Sequence, residues 1–563
     1  MVTQNSKGDE LAAPLDLLLS SATKPFASRM MPDATWARFG ANLAQRPGAV
    51  AGRAAALTRE LGAIAAGNSH RVPARADKRF SDIAWQDNPL LHRIMQAYLA
   101  AGEAAEGLLA DAELDWRDNQ RMQFVLDNVV EGLAPSNNPL ISPLGWKAMI
   151  DTGGISAVRG VKAFVRDMVS KPRVPAMVEP DAFVVGETVA VTKGAVVLQT
   201  SMFELIQYAP QTTRVNAIPL LMVPPVINKF YIMDIAPGRS LIEYFVQQGQ
   251  QVFAISWRNP QKRHRDWGFD AYGAALVEAM DAVQKIARTD STHLFATCSG
   301  GILAAMTAAH LADIGEGDRV GGLNLSVTVL DETRAGFTAA MMSDRAAQAA
   351  IRVSNRKGYL DGRDMAEMFA WLRPTDLVWR YWVNNYVQGR KPAAFDVLFW
   401  NADTTRMTAA LHRDMILMAQ RNALVTPGAL TMLGSPVDLG KVTADAYVVG
   451  GVADHISPWQ ATYRSARLLG SKDNRYVLST SGHIAALVNP LGNPKSSYRT
   501  GPVDAEDPQE WLESSQKSSD SWWPDYVNWL AERSGPQVDA PKVLGGEGLP
   551  PLGPAPGGYV MEK

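Results

Sequence analysis

The spacing of apolar and polar residues along the chain changes near residue 190. Before that point apolar residues recur at helical spacing. In the stretch that follows Pro89, for example, Leu91, Ile94 and Tyr98 lie on one face of a predicted helix. Proline suits the first turn of a helix, so the pattern also indicates where this helix begins. We therefore predict a mainly helical N-terminal domain over residues 1–190.

From about residue 191, short apolar segments alternate with amphipathic helical segments. Six segments have the length and composition of buried strands, and they cover 217–223, 251–257, 293–298, 323–331, 446–451 and 475–480. Buried strands separated by helices are typical of a parallel sheet that is covered on both faces. The pattern therefore predicts an α/β domain over residues 191–534.

Two segments depart from this alternation. The interval from about 332 to 440 is rich in Met, Trp and Arg, and we interpret it as a helical cap inserted over the sheet. The stretch 535–563 is rich in Gly and Pro. Such a composition cannot bury enough apolar surface to fold alone, so we expect a tail that lies on the surface or lacks fixed structure.

Composition narrows the function classes. The net charge of the 563-residue chain is −2, and no basic run stands out, which argues against nucleic-acid binding. Its single cysteine cannot form an intrachain disulfide or a multi-cysteine metal site, so we expect a reducing, cytoplasmic setting and no metal. No apolar segment is long enough to predict a membrane span.

One short segment has the layout of a nucleophile elbow. The strand predicted at 293–298 ends in Cys298, and Ser299 and two glycines then lead into a helix. Small residues two positions before and after the nucleophile let the strand and the helix approach each other, and Ala296 and Gly300 occupy these positions. Glycine is usual at the first of them, so Ala296 is a departure from the pattern.

Cysteine at this position indicates acyl-transfer chemistry. A thiolate attacks thioesters readily, and the N-terminus of the following helix favours its negative charge. The alternative is that Cys298 is a small buried apolar residue at the end of a strand. The strand, turn and helix around Cys298 favour the nucleophile.

The acid and the base that a nucleophile requires follow in the order expected of an α/β-hydrolase fold. Asp454 and His483 each come directly after a predicted strand, where open α/β sheets place their active sites. His455 is a second candidate base, but adjacent residues on a tight turn point apart. Asp445 is a second candidate acid, but it precedes its strand. His412 lies in a polar stretch and is expected to be solvated.

Backbone N–H groups are expected to form the oxyanion hole. One donor should be Ser299, the residue after the nucleophile, and the second should come from the loop that follows an early strand. In that loop Pro224 and Pro225 have no N–H group, so Val226 is the candidate.

Several longer motifs resemble the single-subunit polyhydroxyalkanoate synthases, over roughly residues 77–534. The matching stretches are DKRFSDIAWQDNPLLHRIMQAYLA, VPPVINKFYIMD, SWRNP, ATCSGG, GRDMAEMFAWLRPTDLVWRYWVNNY, FWNADTTR, ADHISPW and SGHIAALVNP. The resemblance implies an α/β-hydrolase fold with a cap, and it places the catalytic cysteine, aspartate and histidine on Cys298, Asp454 and His483.

The resemblance also implies a reaction and its setting. The expected substrate is an (R)-3-hydroxyacyl-CoA, which is polymerised into a polyester while CoA leaves, without a cofactor. We further expect a homodimer at the surface of cytoplasmic polymer granules, in company with granule-associated proteins, with the N-terminal domain serving dimerisation or granule association. Monomer length stays open.

Two other classes of protein remain possible on the sequence alone. One is a thioesterase or polyester depolymerase of the same fold, in which water takes the acyl group. The other is a non-catalytic granule-associated protein that has kept the fold.

Overall fold

The computed structural model describes most of the chain. The described residues are Leu19, Ala22, Thr23, 34–75, 77–169, 171–333 and 344–563. Part of the predicted cap, 334–343, lies outside them. The chain divides into two compact units. The sheet unit comprises 181–362 and 396–563 with the described residues before 24, and the helical unit comprises 24–180 and 363–395.

The α-helices are numbered here in chain order. They are α1 Ala34–Ala44, α2 Pro47–Ala66, α3 Ala84–Asp87, α4 Pro89–Asp111, α5 Trp116–Gly132, α6 Pro143–Asp151, α7 Ile155–Val169, α8 Leu241–Gln247, α9 Phe269–Ala287, α10 Ser299–Asp313, α11 Asp344–Lys357, α12 Gly362–Leu372, α13 Asp396–Ala402, α14 Ala409–Gln420, α15 Trp459–Ala466, α16 His483–Leu487, α17 Pro508–Ser514 and α18 Trp523–Ala531. Two π-helical segments, Thr375–Trp379 and Trp382–Val387, follow α12.

One 11-stranded sheet organises the sheet unit. Its strands are β1 Gly194–Gln199, β2 Phe203–Tyr208, β3 Leu220–Val223, β4 Val252–Trp257, β5 Thr292–Thr297, β6 Val320–Ser326, β7 Ala446–Gly451, β8 Asn474–Ser479, β9 Ser497–Pro502, β10 Gln516–Ser519 and β11 Gly553–Pro554. Their order in the sheet is β10-β9-β8-β7-β6-β5-β3-β4-β2-β1-β11. Three two-stranded ribbons pair Arg214–Asn216 with Gln537–Asp539, Tyr359–Leu360 with Met407–Thr408, and Thr431–Met432 with Ser435–Pro436.

The six strands predicted from the sequence form the centre of this sheet. From β3 to β8 every pairing is parallel, and every residue of β3, β4, β5 and β7 is buried. The parallel arrangement predicted for these six strands is confirmed. Strands outside them make the whole sheet mixed, because β2 pairs antiparallel with β4 and β9 pairs antiparallel with β8. The α/β architecture itself is confirmed.

The segment after residue 535 follows a defined course along the sheet unit. Its residues 537–539 form a ribbon with 214–216, and β11 pairs antiparallel with β1. Beyond β11, Tyr559 and Val560 are buried. Hydrogen bonds from this segment to buried polar side chains of the sheet unit compensate for its small apolar content.

The helical unit begins its longest helix, α4, as the sequence predicts. Pro89 occupies the first turn, and the side chain of Asn88 accepts hydrogen bonds from the N–H groups of Leu90 and Leu91. The predicted stripe of this helix packs against a small core that includes Trp85. Residues 363–395, which the sequence assigns to the cap, cluster with these helices.

Helix α7 is packed in an unusual way, because its small and polar residues are buried. Ser156, Gly160 and Asp167 face the π-helical segment at 382–387, and an added Cβ on Gly160 would lie 2.0 Å from the carbonyl oxygen of Tyr386. The Tyr386 hydroxyl donates a hydrogen bond of 2.8 Å to Asp167. The helix therefore approaches its neighbour at backbone distance.

The apolar side chains of α7 lie on the opposite face, which is exposed. We call these residues the exposed stripe: Ile155 (54% exposed), Val158 (57%), Val161 (64%), Val165 (52%) and Val169 (74%). A helix on the surface of a soluble domain normally turns such a stripe inward. Among the described residues, no helix is both long and apolar enough to cross a bilayer.

Candidate active site

Cys298 stands in the sharp turn between β5 and α10, as the sequence predicts. Its backbone has φ 50° and ψ −124°, a conformation that L-residues rarely adopt and that stores strain. The turn is held on both sides, because the Cys298 N–H donates to Ser326 in β6 and the Gly301 N–H donates to the Cys298 carbonyl. The thiol packs beside Val327 and Leu487.

Gly300 allows the close approach that this turn requires. A Cβ on Gly300 would lie 2.4 Å from the carbonyl oxygen of Pro224 and 2.6 Å from that of Val223. Both atoms belong to backbone, so neither could turn aside. Ala296, the departure noted in the sequence, is fully buried within β5.

Asp454 and His483 meet at the carboxyl ends of β7 and β8. The imidazole Nδ1 of His483 lies 2.8 Å from Oδ2 of Asp454. The other carboxylate oxygen accepts hydrogen bonds from the N–H groups of Ile456 and Ser457. The Asp454 side chain is fully buried, so its orientation is fixed by hydrogen bonds on both oxygens.

Cys298 completes this arrangement. Its thiol is near enough to the His483 imidazole to contribute to the raised pKa of that ring. Because Nδ1 faces Asp454, Nε2 is the ring nitrogen left to accept a proton from the thiol. Burial lowers the pKa of His483, but charge attraction and hydrogen bonding, first with Asp454 and then with Cys298, outweigh burial and raise the pKa to about 10. Asp454 and Cys298 therefore make the imidazole a stronger base than a free histidine.

The structure distinguishes His483 and Asp454 from the other candidate base and acid that the sequence offered. It is His483, not its rival His455, whose imidazole bonds the Asp454 carboxylate. Asp445 lies before β7 and bonds Arg533 at 2.8 Å. The prediction that His412 is solvated is wrong: its ring is buried against Ser354, and burial lowers its pKa to about 4.

The two expected oxyanion donors differ in their surroundings. The N–H of Ser299 opens α10, and among the described residues it has no hydrogen-bond partner. The N–H of Val226 is engaged instead, because it donates to the side-chain oxygen of Ser299 at 3.1 Å. The sequence did not predict this role of the Ser299 hydroxyl. Its signal was a polar side chain directly after the nucleophile.

Comparison with known proteins identifies the family. Residues 76–245 match the family described as poly-beta-hydroxybutyrate polymerase (PhaC) N-terminus, and residues 232–490 match the alpha/beta hydrolase fold. The chain is 43% identical to poly(3-hydroxyalkanoate) polymerase 2 of Ectopseudomonas oleovorans over 90% of each chain. The chain belongs to the poly(3-hydroxyalkanoate) polymerase family.

Other members of the polymerase family are similar over nearly the same length. Poly(3-hydroxyalkanoate) polymerase 1 of Ectopseudomonas oleovorans is 44% identical over 90% of each chain. The poly(3-hydroxyalkanoate) polymerase subunit PhaC of Cupriavidus necator is 37% identical over 89% of this chain and 86% of its own. These matches confirm the resemblance and make this polymerase-family chain an acyltransferase. The roles of its individual side chains remain predictions.

Proposed function

We propose that this polymerase-family chain joins (R)-3-hydroxyacyl-CoA thioesters into polyhydroxyalkanoate and releases CoA, with Cys298 as the covalent nucleophile. The observation that carries this proposal is the 2.8 Å contact between His483 and Asp454 with the thiol of Cys298 beside the imidazole. Nucleophile, base and orienting acid in this order are the parts of an acyl-transfer site.

The first step transfers the acyl group to the enzyme. His483 accepts the thiol proton of Cys298, and the sulfur attacks the thioester carbonyl. A new carbon–sulfur bond forms to Cys298 as the carbon–sulfur bond to CoA breaks, and the departing CoA takes the proton from His483. One thioester replaces another, so the exchange is close to balanced in energy and needs no cofactor.

The second step makes the ester bond. The 3-hydroxyl of a second 3-hydroxyacyl-CoA attacks the acyl group on Cys298, and its proton passes to His483. The carbon–oxygen bond forms as the bond to sulfur breaks, which regenerates Cys298. The lengthened chain, still a CoA thioester, then acylates Cys298 again. Asp454 either orients His483 or assists the hydroxyl attack.

Backbone N–H groups stabilise the oxyanion of each tetrahedral intermediate. The N–H of Ser299 is the first donor, since it stands at the start of α10 beside the reacting sulfur. Val226 supplies the second donor, when its N–H leaves the Ser299 hydroxyl and donates its hydrogen bond to the oxyanion instead. Two donors of this kind are the usual number in such sites.

Product analysis tests this function. Purified protein is given (R)-3-hydroxybutyryl-CoA and, separately, (R)-3-hydroxydecanoyl-CoA, and CoA release and polymer mass are measured. We expect polymer from at least one substrate, and no CoA release from Cys298→Ala. His455→Gln is the matched control for His483→Gln, and it should keep most of the activity while His483→Gln loses it.

Three results would contradict the proposal. CoA release accompanied by free 3-hydroxy acid, without polymer, would make the chain a hydrolase. Equal CoA release from wild type and Cys298→Ala would remove Cys298 from the mechanism. No release from any 3-hydroxyacyl-CoA would leave a non-catalytic protein.

We further propose that the chain works as a homodimer at the surface of polyester granules in the cytoplasm, and that the exposed stripe of α7 contacts the polymer. The stripe is apolar, and Arg159, Lys162 and Arg166 lie along the same helix. A helix with apolar and basic residues arranged in this way suits the boundary between an apolar phase and water. The polyester that the site makes is such a phase.

Binding to polymer particles tests this part of the proposal. We expect Val158→Ser, Val161→Ser and Val165→Ser together to weaken binding to poly(3-hydroxybutyrate) particles at least about tenfold, because each removes apolar contact. The matched control substitutes three exposed apolar residues outside the stripe, Leu61, Val72 and Ile83, with serine. Sedimentation of both variants reports the oligomeric state.

The outcomes separate two uses of the stripe. Weaker particle binding with an unchanged dimer supports contact with polymer. A monomeric stripe variant that binds particles normally would assign the stripe to the dimer interface instead. Equal loss in the control variant would show that the effect is not specific to α7.

A further inference from the structure

A loop from Pro224 to Asp234 joins β3 to the next helix and borders the candidate active site. Residues 224–229 are irregular, and a short 3₁₀ helix, Phe230–Asp234, follows them. The first two residues are prolines and cannot donate hydrogen bonds. An isolated antiparallel bridge joins Asn228 to Thr404, and side chains supply the other contacts that hold the loop.

Lys229 is the one cationic residue of this loop, and it is buried. Its side chain is 2% exposed, and its ammonium donates hydrogen bonds to the backbone carbonyls of Val560 and, at 2.7 Å, of Glu562. It also lies 3.5 Å from the Asp403 carboxylate. A lysine near the start of the sheet unit is thus bound by a chain segment more than 300 residues later.

Asp403 connects Lys229 to further groups. The Tyr231 hydroxyl donates to one carboxylate oxygen at 3.0 Å, and the exposed ammonium of Lys563 lies 2.8 Å from the other. Burial lowers the pKa of Lys229, and the Asp403 carboxylate opposes that shift. Burial of an ammonium without such partners is unfavourable, so an apolar side chain would be expected at this position if only space had to be filled.

The segment that holds Lys229 is itself anchored. Glu562 pairs with Arg258 at 3.0 Å, and the guanidinium of Arg258 stacks over the ring of Tyr559 at 4.0 Å. The N–H groups of Gly558 and Tyr559 both donate to the buried carboxylate of Glu204 at 2.9 Å. Residues 557–563, which we call the clip, therefore present fixed carbonyls to Lys229.

The other end of the loop lies at the site. Three residues before Lys229, Val226 donates its N–H to the hydroxyl of Ser299, the neighbour of Cys298. Between these two points Thr405 restrains the loop, because its N–H and its hydroxyl both donate hydrogen bonds to the carbonyl of Ile227. A short stretch of backbone, held at Ile227 by Thr405, thus connects the clip-bound Lys229 to the Val226 N–H.

We propose that Lys229 is a positioning residue, which the clip fixes so that the loop holds the Val226 N–H in place for oxyanion stabilisation. The inference rests on the proposed function, because it assigns Val226 the oxyanion role stated there. Binding energy between distant parts of the chain thereby determines the geometry at the reacting carbonyl, where displacements of an ångström reduce rates strongly.

Acylation by a simple ester tests Lys229 without requiring polymer. The protein is mixed with p-nitrophenyl butyrate, and the burst of p-nitrophenol reports acylation of Cys298. We expect Lys229→Met to slow this step by about 10- to 100-fold, because oxyanion donors contribute on that scale. Lys229→Gln keeps an uncharged donor and should recover part of the rate. Lys472→Met removes an exposed lysine just before β8, away from the clip, and should match the wild type.

Alkylation of the chain's single cysteine separates positioning from general damage. Iodoacetamide reacts with sulfur without forming an oxyanion, so Lys229→Met should alkylate Cys298 at the wild-type rate. Equal acylation rates for Lys229→Met and wild type would overturn the inference. So would parallel losses in acylation and alkylation, which indicate a disturbed nucleophile. A wild type that acylates normally but makes no polymer would refute the proposed function and leave this inference standing.

Discussion

Helices α10 and α7 both use glycine and other small residues to pack at backbone distance, but they treat their remaining side chains in opposite ways. Every residue of α10 from Ser299 to Ala309 is buried. In α7 only a narrow line of small and polar residues is buried, and the valines are exposed. Surroundings on all sides fix a helix in one position, whereas a single line of contact leaves a face for an outside partner.

The difference corresponds to what each helix has to do. Helix α10 carries the strained turn of Cys298, and such a conformation persists only where neighbouring structure determines it. Helix α7 carries no reacting group. Its apolar area is an energetic cost in water that a contact surface would recover. The predictions below test this contrast.

The largest effect is expected at Gly300. In Gly300→Ala the new methyl group would meet backbone oxygens at 2.4 and 2.6 Å, which forces α10 away from the loop after β3. We expect acyl transfer to fall about 100-fold, since small displacements near the reacting atoms cost that much. Esterase burst kinetics measures it.

Gly52→Ala in α2 is the matched control, because nothing lies within 4 Å of the position where its Cβ would be. It should leave activity unchanged and stabilise the helix slightly. A Gly300→Ala enzyme of normal activity would contradict the claim that α10 is held on all sides.

An intermediate effect is expected in α7. Loss of an apolar side chain usually destabilises a helix more than a change at glycine does, and we expect the opposite order here. Gly160→Ala places a methyl group 2.0 Å from the Tyr386 carbonyl oxygen, and it should lower the free energy of unfolding by about 2–3 kcal/mol. Val161→Ser removes an exposed side chain and should change it by less than about 0.5 kcal/mol. Urea denaturation of the two variants decides the matter, and a larger cost for Val161→Ser would mean that the stripe is internal.

The smallest effect concerns a carboxyl group in the buried surroundings of α8 and β2. Burial raises the pKa of Asp234 to about 6, against opposing hydrogen bonds from Thr192 and Ser240. The folded state then binds the proton more tightly than the unfolded state. Stability from this group is complete below about pH 4 and is lost as the pH rises through 6.

Wild type should therefore lose about 1–2 kcal/mol between pH 4 and pH 6 relative to Asp234→Asn. The control is Asp266→Asn, whose wild-type carboxylate is 94% exposed and should show no such difference. Parallel stability curves for wild type and Asp234→Asn would place this carboxyl in contact with water.

The sequence predicted the centre of the sheet because those strands are continuously apolar. It missed β2, whose buried residues include Glu204 and Gln207. Both have partners in the segment after 535, at Gly558 and Gly545. Strand β10 was missed for the opposite reason, since Gln516–Ser519 is mostly exposed and carries no apolar signal.

The site was predictable to the extent that its reactive residues come soon after the ends of buried strands. Cys298, Asp454 and His483 were found because each directly follows a buried strand, and the structure brings them together. The bond between Ser299 and Val226 was not predictable, since it joins two loops at 3.1 Å. Lys229 gave no signal either, because its partners are backbone carbonyls, which any residue type supplies.

The distance along the chain between Lys229 and the clip affects how late in synthesis the protein can become catalytically active. During synthesis from the N-terminus, β3 and its loop leave the ribosome long before residues 560–562, which lie 331 or more positions later. A nascent chain can form the elbow and still lack the carbonyls that orient the loop beside it. Thioester chemistry would then be withheld until residues 560–562 have been made and the clip has formed.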